Sequence, residues 1–510
     1  MKKTLFLILS IFTSISIYAE VWTPRVIGDN MVLQRSELVK LWGKASPNAK
    51  VQAVLGNYKA EVKADNEGKW SLFLPAMEAN KIPQVLKFYE NGILSKEVKN
   101  VLIGEVWISG GQSNMAWTVL KTTTVAEARA NADNPMIRFF TRNIEKEAAE
   151  PQEDTHVQSG WKESTKKQVS SFSAVSYYFA EQLYKDLNVP VGIVETAMGG
   201  TMMMVWLKRE DMSKGFDEEL KAFDNEKAKY NYDAALKKYE IAFKNMQAER
   251  EKAKTENRRY TGPNVNKPLK FTPRGVHRTP EVLYNSRIAP IKGYTAKGFI
   301  WYQGEADSGK PETFTDQFIT LVSTWRKYWS KSEMPFYFAQ LSSFEGKYDW
   351  KWGATRWAQL EAQKRMKNTA MVVTNDVGEE KDVHPQNKIA VGQRFENIAM
   401  YELYGRKEIN PYSPLYKSIQ YKEAECVVTF NTFGASLIAK KEASGIEVLS
   451  KDKWIATNKV ITNKNGEITV KSPNGELIEG VRYLWDGWAQ PAIFLYSDNG
   501  LPAAGFISIK

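Results

Sequence analysis

One short segment places a serine two residues after a pair of glycines at the end of an apolar run. Residues 101–108 are typical of a buried strand, and they are followed by Gly110, Gly111, Gln112 and Ser113. Glycine permits backbone dihedrals that a side chain would forbid, so such a turn can present the serine hydroxyl at the rim of a sheet. Backbone N–H groups beyond the glycines can bind an oxyanion. Acyl transfer requires this layout of its nucleophile, although ordinary α/β folds also contain strands that end in a glycine turn.

A nucleophilic serine needs a general base, and the chain contains three histidines: His156, His277 and His384. An imidazole accepts the serine proton, and a carboxylate holds that imidazole in the correct tautomer. Only His384 has carboxylates arranged in this way, because Asp382 lies two residues before it. Asp376, which follows a strand-like run, remains a second candidate for the acid. Without the serine segment, His384 would be interpreted as an ordinary surface histidine before a proline.

A third polar segment follows another buried strand-like run, residues 297–302. The side-chain amide of Gln303 can donate a hydrogen bond to a developing oxyanion. Glu305, two residues later, can brace the loop or the histidine. The alternative is a strand end whose polar groups are satisfied by local hydrogen bonds.

Taken together, these segments resemble the sialate O-acetylesterase family, which belongs to the SGNH (GDSL-like) hydrolases and deacetylates carbohydrates. The matching segments follow the family's order along the chain: residues 111–115, 198–201 with Trp206 shortly after, 282–290, 301–305 and 382–385. The resemblance extends from about residue 29 to the C-terminus. It therefore covers nearly all of the expected mature chain.

The resemblance implies a serine carboxylic-ester hydrolase that uses neither a cofactor nor a metal ion. It implies that the catalytic residues are Ser113, Asp382 and His384. It further implies an oxyanion hole with donors from Ser113, Gly199, Gly200 and Gln303, and either glycine can be the one that donates. The fold that it implies is α/β: a three-layer α/β/α parallel sheet of the SGNH type, flanked by β-rich, sandwich-like regions at both termini.

The chain departs from the family pattern in two places that we expect near the pocket. Residues 195–198 replace a polar segment, and Ser286 with Arg287 replaces a Gly-Met pair. Both changes leave the substrate preference open. The side chains expected around the catalytic residues, either behind them or in the pocket wall, are Gln112, Asn114, Trp206, Arg287 and Glu305.

The predicted activity is removal of O-acetyl groups from a glycan through an acetyl-enzyme intermediate, with O-acetylated sialic acid as the first candidate substrate. An acetylesterase for xylan or another hemicellulose would use the same residues and remains an alternative. A non-catalytic glycan-binding protein is the alternative from another class. The combination of serine, histidine and aspartate argues against it, because a binding module has no use for a nucleophile and a base.

Hydrophobic periodicity predicts the elements that position these residues. Residues 20–100 alternate apolar and polar side chains between turns, which predicts an N-terminal β-sandwich-like domain. Residues 101–404 alternate strands with helices, which predicts a catalytic domain with a parallel sheet and helices on both faces. The pattern of residues 405–510 predicts a second β-rich region. A helical insertion, residues 210–262, is predicted to pack an apolar stripe on the catalytic domain, formed by Leu236, Tyr239, Phe243 and Met246.

Parallel sheets bind their ligands at the carboxyl ends of the strands. Ser113, Gln303 and His384 each follow a predicted strand. We therefore expect the fold to bring all three to one rim.

The first 19 residues are typical of a cleavable signal peptide. Two lysines precede an apolar run that is too short to span a membrane, and Ala19 meets the small-residue requirement for cleavage. No cysteine lies near this site, so a lipoprotein is not expected. We predict a secreted or periplasmic protein with no membrane span.

The chain of 510 residues carries a formal net charge of +11, with one cysteine and three histidines. Its basic residues are spread along the chain among acidic ones, so binding of nucleic acid is not expected. So few cysteines and histidines make a Cys/His zinc site implausible. The pattern does not indicate an oligomeric state.

Overall fold

The computed structural model describes residues 20–141, 148–346, 351–440, 442–463 and 465–510. The predicted signal peptide, residues 1–19, lies outside these ranges. The described chain is a mixed α/β protein with several sheets. None of its described helices is both long and apolar enough to cross a membrane.

The N-terminal region consists of short strands around an apolar core. Their bounds are Val32–Gln34 (β1), Val39–Lys44 (β2), Lys50–Leu55 (β3), Tyr58–Lys63 (β4), Lys69–Leu74 (β5), Asn80–Glu90 (β6) and Ile93–Gly111 (β7). In β5, Trp70, Leu72 and Leu74 are buried while the residues between them are exposed. This alternation is expected of an antiparallel strand with one face on a core, and it confirms the β-structure predicted for this region.

The central sheet is formed by the second half of β7 and by strands that follow it in the chain. These are Asn134–Thr141 (β8), Gly160–Ser164 (β9), Val191–Glu195 (β10), Gly298–Tyr302 (β11), Phe336–Ala339 (β12) and Thr369–Val372 (β13). Their order in space is β13-β12-β11-β7-β10-β8-β9. Neighbouring strands are parallel except for β8 and β9.

Strand β7 joins the N-terminal region to the central sheet, because it is continuous from Ile93 to Gly111. Its first part pairs antiparallel with β6, and its last part pairs parallel with β10 and β11. The boundary predicted at residue 100 therefore lies within a strand. Strand β6 pairs with β7 on both sides of this position, at Val98 and at Val101, with a shift of register between them, so the two regions share one β-structure.

Helices pack on the central sheet and fill the connections between its strands. The helices are Ser113–Ala116 (α1), Val125–Ala130 (α2), Ala174–Leu187 (α3), Asp217–Ala228 (α4), Tyr232–Thr255 (α5), Pro311–Tyr328 (α6), Trp352–Arg365 (α7) and Ile389–Leu403 (α8). Along β11, Phe299 and Trp301 pack in a core with α6, whereas Ile300 and Tyr302 pack in a second core with α3 and α8. Both faces of the strand are buried, which explains its uninterrupted apolar sequence.

Helices α4 and α5 form the predicted helical insertion. Of its predicted apolar stripe only Met246 is buried, whereas Leu236, Tyr239 and Phe243 remain half-exposed. The return segment after α5 lies against this helix, since the Arg250 guanidinium stacks on the Tyr260 ring. The predicted stripe is thus only partly buried, and α5 also contacts its own return segment.

The C-terminal region is β-rich, as predicted. Its strands are Leu415–Lys422 (β14), Glu425–Asn431 (β15), Leu437–Ala439 (β16), Ile446–Ser450 (β17), Lys453–Ala456 (β18), Val460–Asn463 (β19), Glu467–Lys471 (β20), Gly480–Tyr483 (β21), Leu495–Ser497 (β22) and Phe506–Ile509 (β23). Buried polar groups attach it to the central domain. The Arg356 guanidinium donates to the carbonyl of Leu484 at 2.9 Å, and Asn375 Nδ2 donates to that of Ala503 at 3.0 Å.

Candidate active site

The turn after β7 presents Ser113 as the first residue of the short helix α1. Gly111 has φ of +126°, and a Cβ atom there would lie 2.2 Å from the carbonyl oxygen of Tyr302. Only glycine fits this close approach, which brings β7 against the end of β11. The Gln112 backbone N–H donates to the same carbonyl at 2.9 Å. The turn thus holds a partly exposed Ser113 at the carboxyl rim of the sheet.

The loop that carries His384 lies against the serine segment. Asn114 Nδ2, next in sequence to the serine, donates to the Val383 carbonyl at 2.9 Å. The His384 ring stacks on Trp117, with ring centroids 4.7 Å apart and 13° between the planes. Within the described residues, the Ser113 hydroxyl and the imidazole form no hydrogen bond. Such bonds are often long in an enzyme without substrate and shorten in the complex.

Asp382 is the carboxylate that lies beside the imidazole. Its Oδ1 is 3.4 Å from His384 Nδ1 and accepts the His384 backbone N–H at 2.9 Å. Asp376, the second candidate, instead forms a two-pronged ion pair with Arg394, at 2.7 and 2.6 Å. The structure therefore brings Asp382, and not Asp376, to the histidine.

The surroundings of His384 favour its neutral form. Partial burial lowers the pKa of the imidazole from its ordinary value near 6.5, and the ammonium groups of Lys388 and Lys121 act in the same direction. Asp382 opposes this by favouring the protonated imidazole. The net result is a histidine that is a free base, able to accept a proton, at neutral pH.

The glycine segment after β10 lies next to Ser113. A Cβ atom at Gly199 would be 3.3 Å from the Ser113 Cβ, so the Gly199 backbone is in contact with the serine. A Cβ atom at Gly200 would instead be 3.5 Å from the ring of His277. The Arg287 guanidinium donates to the carbonyls of Thr196 and Ala197, at 3.1 and 2.9 Å, and so anchors the start of this segment.

Gln303 lies at the same rim and is buried. Its Nε2 donates to Asp307 and, at 3.3 Å, to the Thr201 carbonyl. Burial raises the pKa of the Asp307 carboxyl to about 7. Within the described residues Gln303 Oε1 has no hydrogen-bond partner. The position of Gln303 is as predicted, and its role as an oxyanion donor stays a prediction.

The other predicted residues occupy different surroundings. Gln112 Oε1 accepts long backbone hydrogen bonds from Gly304 and Ala306, at 3.4 and 3.3 Å, and so joins the serine turn to the turn after β11. Trp206 is wholly buried in the aromatic core, where its ring meets Trp301 edge-on at 5.8 Å. An indole with no exposed surface cannot line an open pocket, so of the two predicted places for Trp206 only the one behind the catalytic residues is left, and it stays a prediction.

Sequence reasoning missed Lys388, which is only 1% exposed. Its Nζ donates to Asn114 Oδ1 at 2.5 Å and lies 5.7 Å from the centre of the Tyr302 ring. The one signal that the sequence offers for Lys388 is its position four residues after His384. Lysine is rarely buried, so a lysine in a polar loop is ordinarily assigned to the surface.

The described residues contain no cluster of three or more His, Cys, Asp or Glu side chains that could hold a metal ion. The polar groups at this rim are instead a hydroxyl, an imidazole paired with a carboxylate, and amide donors. These groups can carry out nucleophilic acyl transfer with general-base assistance.

Comparison with known proteins gives consistent results. A family described as carbohydrate esterase, sialic acid-specific acetylesterase, matches residues 103–251 and 273–400, more than half of the chain. The sialate O-acetylesterase of Mus musculus is 25% identical, over 94% of this chain and 93% of its own length. That of Homo sapiens is 24% identical over 94% and 91%. A crystal structure of a carbohydrate acetylesterase from Xanthomonas citri matches with a TM-score of 0.78 and 26% identity, covering 96% of this chain and 99% of that one.

Proposed function

Because this chain belongs to the carbohydrate esterase family of sialic acid-specific acetylesterases, we propose that it removes O-acetyl groups from sialic acids. The observation that carries the proposal is the contact between the serine segment and the histidine loop. Asn114 joins them through the Val383 carbonyl, and Asp382 lies beside the His384 imidazole. The residues proposed as nucleophile, base and acid therefore lie at one rim, which supports the proposal.

In the proposed mechanism, the Ser113 hydroxyl attacks the acetyl carbonyl and passes its proton to the free nitrogen of His384. Asp382 orients the imidazole and stabilises its protonated form. The imidazolium then protonates the sugar oxygen, the C–O bond breaks, and the deacetylated sugar leaves. A water molecule attacks the acetyl-enzyme by the same route, which releases acetate and restores the serine.

The proposed oxyanion hole consists of backbone and side-chain donors around the Ser113 turn. The backbone N–H of Ser113 lies in the first turn of α1, where a helix offers no acceptor. Gly199 is the favoured glycine donor, because its backbone is in contact with the serine while Gly200 lies toward His277. We propose the Gln303 amide as the third donor, since its hydrogen bond to the Thr201 carbonyl is long at 3.3 Å and can be exchanged for one to a developing charge.

Replacing Gln303 by alanine is expected to lower kcat by about a hundred- to a thousandfold and to leave KM nearly unchanged. The reason is that the amide strengthens its hydrogen bond only when the carbonyl oxygen becomes charged. Gln303→Glu should be as harmful or worse, since a carboxylate repels that charge. Steady-state kinetics on an acetyl ester give both constants. A raised KM with normal kcat would mean that Gln303 holds the sugar and that the third donor lies elsewhere.

Asp382→Asn is expected to lower kcat more than Asp376→Asn. The first change removes the charge beside the imidazole, while the second breaks the ion pair with Arg394 and should mainly lower the melting temperature. Kinetics and thermal unfolding of the two variants separate these effects. The reverse order of kcat values would assign the triad carboxylate to Asp376.

The substrate is tested by acetate release from two acetylated carbohydrates with the same enzyme preparation. We expect faster release, per acetyl group, from O-acetylated sialic acid than from acetylated xylan. Preference for xylan would support the hemicellulose alternative, because both reactions use the same catalytic groups. Glycan binding without acetate release from either substrate would support the non-catalytic alternative.

We extend the proposal to the finer architecture and to the location of the protein. The parallel order of β7 and β10 to β13, with helices in both cores, supports a three-layer SGNH-type catalytic domain. The lysine pair and apolar run within residues 1–19 support export to the periplasm or the medium. Mass spectrometry of the mature N-terminus would test cleavage after Ala19.

A further inference from the structure

A buried network of three polar side chains joins the serine segment to the histidine loop and to the start of α8. The network consists of Lys388, Asn114 and Glu305, which are 1%, 0% and 8% exposed. Asn114 is its centre: its Oδ1 accepts from Lys388 Nζ at 2.5 Å, and its Nδ2 donates to Glu305 and to the Val383 carbonyl. Residues from three distant parts of the chain therefore converge on one amide.

The partners of Asn114 leave its amide only one workable orientation. Its oxygen faces an ammonium, which can only donate, and its nitrogen faces a carboxylate and a carbonyl, which accept. Turning the amide by 180° would place N–H groups against the ammonium and an oxygen against two acceptors. Lys388 thus fixes the direction in which Asn114 donates, and that direction is toward the Val383 carbonyl.

Burial of these charges carries a cost that the fold must offset. Burial lowers the pKa of Lys388 to about 7, opposed by the negative charges of Glu305, Glu379 and Asp382. Burial raises the pKa of the Glu305 carboxyl, opposed by its hydrogen bond from Asn114. Buried charges are weak evidence for stability, because apolar side chains of the same volume often stabilise a protein as well or better.

The position of the network gives it a consequence for catalysis. Val383 lies between Asp382 and His384, so an anchored Val383 carbonyl restricts the backbone of both catalytic side chains. Asn114 follows Ser113 directly in the short helix α1. One amide therefore connects the backbone beside the nucleophile to the backbone beside the base.

We propose that Lys388 is a positioning residue for ester hydrolysis: through Asn114 it holds the His384 loop in place against the Ser113 segment. This inference rests on the proposed function, since it assumes that His384 is the base and Ser113 the nucleophile. Lys388 is buried and donates to Asn114, so in this proposal its effect passes through Asn114 and the Val383 carbonyl. Effects of this kind are large, because a misplacement of about 1 Å can cost on the order of a hundredfold in rate.

The ammonium of Lys388 also acts on His384 through its charge. The groups that influence the imidazole are Asp382, which raises its pKa, and Lys388 and Lys121, which lower it. On the acid limb, at pH values below the lowered pKa of the imidazole, Lys388 is mostly protonated, because its own pKa is about 7. Removing that positive charge should raise the pKa of His384 and move the acid limb of kcat/KM to higher pH.

The test compares Lys388→Met with Lys381→Met, which removes an exposed lysine from the same loop. We expect the first variant to lose roughly tenfold to a hundredfold in kcat, with KM within about twofold of wild type and the acid limb shifted to higher pH. Lys381→Met should retain kcat and the pH profile. A purely structural role for Lys388 would lower the melting temperature without moving the acid limb.

Lys388→Gln keeps the test decisive if the methionine variant fails to fold. It retains an amide donor for Asn114 Oδ1 and removes the charge, so we expect a kcat between those of wild type and Lys388→Met, with the same shift of the acid limb. Wild-type kcat together with an unshifted acid limb in a folded Lys388 variant would overturn the proposal. Ser113→Ala, assayed alongside, separates this failure from failure of the proposed function, because it should be inactive whichever role Lys388 has.

Discussion

Ser113→Ala is expected to abolish acetyl-ester hydrolysis while the protein remains folded. Loss of a triad nucleophile costs roughly a millionfold in kcat, because no other group can form the covalent intermediate. Ser113 is partly exposed at the rim, so its replacement should change the free energy of unfolding by no more than about 0.5 kcal/mol. Hydrolysis of a chromogenic acetyl ester and thermal unfolding measure the two effects.

Ser171→Ala is the matched control for this variant. Ser171 is an exposed serine whose hydroxyl donates to the Gln168 carbonyl at 2.8 Å, and it has no contact with the catalytic groups. It should retain wild-type turnover. Retention of more than a few per cent of activity by Ser113→Ala would show that another residue is the nucleophile.

His384→Ala should be as severe as the serine variant, since nucleophile and base act as a unit. Without an imidazole the serine proton has no acceptor, and the stacking contact with Trp117 is lost as well. His156→Ala is the control, because His156 lies in a separate loop and receives a backbone hydrogen bond from Gln158. Equal losses in both histidine variants would argue for a general effect on folding.

The pH profile of the wild-type enzyme provides a second test of the role proposed for His384. Catalysis requires the neutral imidazole, so activity falls as the pH drops through the pKa of His384. Partial burial lowers that pKa below 6.5, and kcat/KM should therefore hold to a lower pH than an exposed histidine would permit. An acid limb well above pH 6.5 would mean that another group controls the protonation step.

The sequence was most informative where local pattern and burial coincide. The apolar run before Ser113 belongs to β7, and the run before Gln303 is β11. A parallel strand is covered on both faces, so its sequence is apolar throughout and ends where the backbone reaches the rim. The close spacing of Asp382 and His384 indicated their pairing, because residues two apart in a loop can touch without help from the rest of the chain.

Predictions made from a local stretch of sequence were less reliable where a distant part of the chain decides the packing. Trp206 lies close to the glycine segment in sequence, yet its ring belongs to the aromatic core. The boundary predicted at residue 100 follows a change of pattern, but β7 runs through it. In both cases the partner that determines the environment is remote, and a local window contains no signal from it.

By itself, the sequence determined the strands that lead to the site and the glycine turn before Ser113, because each depends on neighbouring residues, and it left Asp382 and Asp376 as alternatives for the acid. Only the tertiary structure decided which carboxylate meets the histidine and that Lys388 is buried. Asp376 is held by Arg394, 18 residues away, whereas Lys388 and Glu305 reach Asn114 across 274 and 191 residues. A buried charge is tolerated only where the completed fold supplies its partners, and those partners come together only when β7, β11 and the histidine loop have met.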